Sequence, residues 1–466
     1  MKPRLLCLIF AISAARTGSA QELPQNCDME FPANLNPNTR VNIYRNPAGV
    51  ATTFLGGGVV ARCIGQGNLL KADSAEYYEA EARLFLTGNV RYTEPRATVT
   101  SRTMTYYQAS DHLHAEGDVV AVMSSGSTLR GPVVDYYRST PQRPLSRMVA
   151  PSRPRVTLVQ KDTTGRGRPP DTAHVVANRI VMEGDSLVYA SLQVEITRPD
   201  LLAKSDSAFM DSGRDFARLM GSPSIEARGS RPFTLIGGVI DLFSRSRQLE
   251  RVVATPNGRV ISQDLELLAD TIDLRLAASQ LQRTFAWGSG KRARAISPER
   301  EIIADSIDAM MPGQRIQEVR AVGTAFANSA PDSGLVTSER DWLRGDTIVA
   351  RFDSVATGDT TSRPQVRQIV AMGSAQSYYQ MKNSKGVATQ PSVNYVRGRT
   401  IEIDFEDKSV ATVTVTDQAT GLLIEPAEEP AAGTAPAPGA PPTSPTARPA
   451  TTQPRPQPSR PPGIRP

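Results

Sequence analysis

Residues 82–92, Ala-Arg-Leu-Phe-Leu-Thr-Gly-Asn-Val-Arg-Tyr, and residues 113–123, Leu-His-Ala-Glu-Gly-Asp-Val-Val-Ala-Val-Met, decide how this chain is read. In the first, Ala82, Leu84, Leu86, Val90 and Tyr92 fall on every second position, with Gly88 in phase. Arg83, Thr87, Asn89 and Arg91 take the other positions, and Phe85 is the exception. In the second, Leu113, Ala115, Gly117, Val119, Ala121 and Met123 keep the same phase, while His112, His114, Glu116 and Asp118 oppose them. Ala411, Val413 and Val415 alternate with Thr412, Thr414 and Thr416 near the other end. Side chains on a strand point alternately to its two faces, so each segment predicts a strand with one dry and one wet face. Helical periodicity is weak through the body. The expectation is an all-β body with strands over 82–92, 113–123 and 411–416.

These strands recur as a unit. One marker is Gly-x-Val, at Gly57-Gly58-Val59, Gly88-Asn89-Val90, Gly117-Asp118-Val119, Gly237-Gly238-Val239 and Gly258-Arg259-Val260, with weaker copies at Gly323 and Gly373. A second marker falls between copies of the first: a small residue, a polar one, Ser or Thr, then an apolar one. Examples are Ala72-Asp73-Ser74-Ala75, Ser101-Arg102-Thr103-Met104, Ala304-Asp305-Ser306-Ile307 and Gly345-Asp346-Thr347-Ile348. The step from Gly57 to Gly88 is 31 residues and from Gly88 to Gly117 it is 29. A period near 30 is an array signal: one unit cannot bury its apolar face alone, whereas stacked units bury a continuous one. Glycine in the marker fits a bulge or tight bend where the chain turns a corner.

Residues 49–137 carry a resemblance. Leu69-Leu70-Lys71-Ala72-Asp73-Ser74-Ala75-Glu76-Tyr77 runs on to Leu84-Phe85-Leu86-Thr87-Gly88-Asn89-Val90, then to Leu113-His114-Ala115-Glu116-Gly117-Asp118-Val119 and Leu129-Arg130-Gly131. This resembles the OstA-like family, which comprises the periplasmic lipopolysaccharide-transport bridge protein and the N-terminal domain of the outer-membrane lipopolysaccharide-assembly protein. The resemblance implies an elongated β-jellyroll, or β-taco, with lipid acyl chains in its apolar interior. It makes Leu84, Leu86, Val90, Leu113, Ala115 and Val119 the expected lipid-binding, inward-facing residues of a trough. It also implies a non-enzymatic protein whose partners are lipopolysaccharide or a similar lipid, and other β-jellyroll transport components joined by edge-strand addition. The alternative kept beside it is a structural β-solenoid of the envelope with a filled core.

The ends add a compartment. Lys2 and Arg4 precede the apolar run Leu5–Ala15, and small residues follow to Ala20. This reads as a secretory signal peptide over 1–20 whose apolar run is too short to span a bilayer as a helix, and it places the protein in the periplasm. Cys27 and Cys63 are the two cysteines beyond it, an even pair that favours one disulfide in an oxidising compartment. Two buried free thiols are the alternative. A bridge would close a loop contributing roughly 3–4 kcal/mol by chain entropy. The further divisions expected are an N-terminal arm over 21–48, a jellyroll module over 49–160, divergent repeats over 170–424, and a tail over 425–466. Residues 430–466 hold 13 prolines in 37 positions, which cannot pack a core and reads as a disordered linker. The arm is expected to cap the N-terminal strand edge, leaving the C-terminal edge near Ile401–Thr416 open to partners.

Composition excludes more than it assigns. The formal charge of +6 comes largely from the two ends, so the nearly neutral body gives no footing for nucleic-acid binding. Three histidines weaken the case for His-based catalysis or zinc chemistry, and no cofactor or metal is expected. His112 and His114 share one strand face, but the sequence supplies no third strong ligand. Gly288-Ser289-Gly290-Lys291 lacks the first Gly and the Ser or Thr of a phosphate loop. Asp73, Asp270, Asp305 and Asp346 fall one per unit, which suits turn capping better than calcium.

Overall fold

The structure is a computed structural model that describes residues 27–426 apart from short internal segments, the longest being 161–170, 354–363 and 383–390. The expected leader, the first part of the arm and the tail beyond Pro426 lie outside the described residues. The described chain is nearly all β: 34 strands join one antiparallel sheet, with single 3-10 turns as the only helical pieces. The three strands expected from alternation are Arg83–Thr93, His112–Met123 and Ser409–Thr416. Ala82 falls just outside its strand. It ends the turn Glu79–Glu81 in the left-handed region, so the dry face begins at Leu84.

The sheet is folded along a crease into two walls. In the strand Arg83–Thr93 the first half pairs with Ser74–Tyr78 and the second with Leu69–Ala72. Gly88 and Asn89 bulge between the halves, with φ of 80° and 47°. The strands Ala97–Tyr107, His112–Met123 and Thr128–Tyr137 break register at the same level. Each long strand thus serves a front wall, the one holding Ser74–Tyr78, and a back wall, the one holding Leu69–Ala72. Further along, pairs of short strands replace long ones. Phe216–Met220 and Ser224–Ala227 dock on opposite halves of Leu201–Asp211. Long strands return at Glu318–Ser329, Asp341–Phe352, Val366–Met381 and Ser392–Glu406. Arg155–Gln160 pairs with Asp171–Val176, so the stretches 49–160 and 170–424 share one ladder, and the described residues through Glu425 form one compact unit.

The two sequence markers are the two sides of this crease. The amide of Asp73 donates to Gly88 O at 2.9 Å, and that of Asp206 to Gly221 O at 3.1 Å. A Cβ added at Gly88, Gly221, Gly323 or Gly373 would collide with the carboxylate of Asp73, Asp206, Asp305 or Asp346 respectively. These glycines also have positive φ, which only glycine adopts without strain. The period near 30 is one strand out and one strand back, meeting the crease twice. Between the walls runs a single apolar core. Small residues such as Ala75, Ala115, Ala190, Ala304 and Ala371 sit beside the crease, where the wedge is narrowest.

Candidate functional site

Leu84, Leu86, Val90, Leu113, Ala115 and Val119 all point into the interior and share the core cluster. Leu86, Val90, Ala115 and Val119 flank the crease, and Leu84 and Leu113 lie one step toward the rims. None is more than 1% exposed. Tyr92, Tyr106, Tyr136, Met104 and Leu129 are buried with them between the walls. In this closed form the six residues pack on one another and on those rings. An acyl chain reaches them only if the walls part.

A polar cluster fastens the rims above them. Arg138, at the front rim, forms ion pairs with Glu94 of the back rim at 3.2 Å and with Asp111 of its own rim at 3.0 Å, and it also bonds Gln66 of the back rim. The Tyr92 hydroxyl donates to Glu94 at 2.7 Å, the Tyr106 hydroxyl donates to Asp111 at 2.8 Å, and Tyr136 also bonds Glu94. The Arg138, Glu94 and Asp111 side chains are only 9–11% exposed. Burial first, and then the facing carboxylates, hold the three tyrosine hydroxyls well above their ordinary pKa. The tyrosines therefore remain donors to the carboxylates that face Arg138. Ser124 of the back rim donates to Asp185 of the front rim at 2.6 Å. Sequence reasoning missed this latch. Its only signal is that Glu94 and Arg138 continue the dry phase of Tyr92 and Tyr136, placing a charge where an apolar residue is due.

The N-terminal end is stapled. Cys27 and Cys63 form a disulfide, and Met29–Glu30 pairs with Val59–Cys63. Asn36 Nδ2 and Thr39 Oγ1 donate to Gly58 O at 2.9 and 2.6 Å, and Gln108 Nε2 donates to Cys27 O at 3.2 Å. Met29–Glu30 of the arm lies on the back wall, while Cys27 meets Gln108 of the front rim and Phe31 packs on Tyr77 of the front wall. The front wall begins with Arg40–Arg45, exposed throughout, with Val41, Ile43 and Tyr44 more than half exposed. At the other end the described ladder finishes with Ser409–Thr416 in front and Thr420–Ile424 behind, where Leu422, Leu423 and Ile424 are more than half exposed.

The interior changes character along the ladder. The fully buried tyrosines Tyr92, Tyr106 and Tyr136 all precede Leu219, whereas the largest fully buried side chains beyond it are leucines and isoleucines such as Leu235, Ile240, Ile272, Leu274 and Ile401. Beyond Leu219 the buried set is rich in alanine: Ala254, Ala286, Ala293, Ala304, Ala321, Ala371 and Ala375. At the C-terminal end a cavity of about 280 Å³ opens between the walls. Ser377, Tyr379, Met381 and Val396 line it from the back wall, and Ile403, Val410 and Val413 from the front.

The smaller constellations resolve differently. The amides of Gly290 and Lys291 donate to Asp270, so this segment is a crease turn and not a phosphate cradle. Asp73 and Asp305 likewise bond crease neighbours, Asn89 and Arg292. His112 and His114 lie on the outer face of the front wall, where the next strand sets Asp135 against both, a third group absent from the one-strand reading. Burial favours neutral His114, but its hydrogen bonds to Asp135 and Glu116 outweigh that and raise its pKa. Among the described residues no helix is long and apolar enough to cross a membrane. No protein-family model matches this chain, and no curated protein shows a significant match to it.

Proposed function

We propose that this chain is a non-enzymatic lipid-binding protein of the periplasm, acting in lipopolysaccharide transport or outer-membrane assembly, and that acyl chains enter between its walls from the C-terminal end. The observation that carries this reading is the largely apolar cavity where the ladder ends, with Met381, Val396, Ile403 and Val413 facing it from both walls beside the polar Ser377 and Asn394. Burial of methylenes there supplies about 0.8 kcal/mol each, and binding needs no chemistry from the protein. The OstA-like pattern over residues 49–137 supports the choice of lipid class. The alanine-rich interior beyond Leu219 supports the direction, because small side chains leave room that the tyrosines of the N-terminal half do not.

One observation favours the second reading, a filled structural scaffold: the six expected trough residues have no accessible surface and lie beneath a fastened rim. Photo-crosslinking in intact envelopes separates the two. A crosslinker at Val396 or Ile403 is expected to capture lipid, and one at Leu86 or Val119 to capture little. Lipid at neither pair of positions, together with no lipid co-purifying in native mass spectrometry, rejects the lipid-binding reading in favour of the scaffold.

A further inference from the structure

The outer face of the front wall carries a cluster unrelated to the interior. His112 and His114 are two apart on the strand His112–Met123, so their side chains leave the same face. The strand Thr128–Tyr137 runs beside it with Asp135 directly opposite His114 and Tyr137 opposite His112. On the other flank Tyr107 is opposite His112. Directly opposed residues on neighbouring strands are close enough for side chains to meet. The His112 ring is accordingly held between two aromatic rings, at 4.3 Å from Tyr137 with planes 4° apart and at 5.3 Å from Tyr107 with planes 14° apart. From that clamp His112 Nε2 reaches Asp135 Oδ1 at 2.9 Å, and His114 Nδ1 reaches the same oxygen at 2.7 Å.

Two imidazole nitrogens and a carboxylate thus converge on one point, and their ligating atoms lie within 4.8 Å of one another. Tetrahedral zinc bonds of about 2.0–2.2 Å separate neighbouring ligands by about 3.3 Å. Small side-chain rotations would therefore widen the present contacts to admit an ion. Two further features mark this as more than a hydrogen-bonded surface. The second nitrogen of His114 contacts Glu116 at 3.0 Å, the carboxylate–histidine relay that orients metal-bound imidazoles. The three groups are also only 18–32% exposed at their side chains, while remaining open on one side.

We infer that His112 Nε2, His114 Nδ1 and the Asp135 carboxylate form a binding site for a divalent transition metal of the zinc class, with Glu116 orienting His114 and the remaining coordination position open to solvent. Imidazole with carboxylate suits Zn²⁺ and its neighbours rather than Ca²⁺ or Mg²⁺, which prefer all-oxygen sets.

The test uses the untagged, chelator-treated chain. Titration calorimetry with Zn²⁺ is expected to show one equivalent bound, and Co²⁺ to give visible absorption of a low-coordinate site. His112→Phe keeps the aromatic stack and removes a ligand, and Asp135→Asn keeps the shape and removes the charge. Each is expected to weaken Zn²⁺ binding by more than about tenfold with the β circular-dichroism signature intact. Glu116→Gln is expected to weaken it by about tenfold. His174→Ala, on a different strand, is expected to change nothing. Absence of a stoichiometric Zn²⁺ equivalent overturns the inference, as does an equivalent that His112→Phe and Asp135→Asn leave intact.

Discussion

Single positions differ sharply in what they hold. Arg138 is the only cation placed against both Glu94 and Asp111 by the described ion pairs, and all three are nearly buried. Arg138→Ala would leave Glu94 and Asp111, each facing its own tyrosines, without a counter-charge, a loss of about 3–5 kcal/mol. Arg218→Ala removes an equally well-formed pair with Asp241, at 2.7 and 2.8 Å, but the Arg218 side chain is 47% exposed. That change should cost no more than about 1 kcal/mol. Urea unfolding of the two variants compares them directly, and equal midpoints would refute the latch. At the crease, Gly88→Ala should cost about 1–3 kcal/mol from its positive φ and its overlap with the Asp73 carboxylate. Made in an Asp73→Ala background, the same change should cost less, because the carboxylate overlap is gone and only the Cβ contact at 2.9 Å remains. A double-mutant cycle reads the difference, and strict additivity would show that Asp73 is not the obstacle.

At the scale of elements, the strands were legible because each buries one face, and alternation is the direct trace of that. The corner was not. Leu86 and Val90 keep the same phase across the bulge at Gly88-Asn89, so a folded strand reads as a straight one. What betrayed the crease was the recurrence of Gly-x-Val and of Asp-Ser/Thr, although nothing in one sequence says that the two markers touch. Asp135 was illegible for a related reason: it lies 21 residues from His114, and only the register of two strands brings them together. The cysteine pair was legible because only two cysteines follow residue 20. Its element-scale prediction is that replacing Cys27 and Cys63 by Ser lowers stability by roughly 3–4 kcal/mol on the chain-entropy model. Limited proteolysis should then cut first within 28–50. An arm that stays as resistant as the parent would mean that the hydrogen bonds to Gly58 suffice without the bridge.

The whole ladder is polarised. Both ends finish in an exposed strand, but the N-terminal end is stapled, tyrosine-filled and fastened at the rim, whereas the C-terminal end holds a cavity between the walls. Hydrogen exchange should follow that order, with amides of Val393–Ile403 exchanging well before those of Leu84–Val90. Uniform protection along the chain would contradict it. The ladder also has a mechanical meaning. Beyond Arg155–Gln160, strands bond only to near neighbours in sequence, so a tether pulled at Ile424 loads one rung at a time in a peeling geometry. In an optical trap the chain should lengthen as a staircase of small, low-force steps. The staircase should stiffen as it reaches Arg138, and its final rise should fall short by the 36 residues that the Cys27–Cys63 bridge withholds from extension. Adding reductant should restore that missing length, and a single abrupt rip in place of the staircase would show that the rungs do not yield one by one.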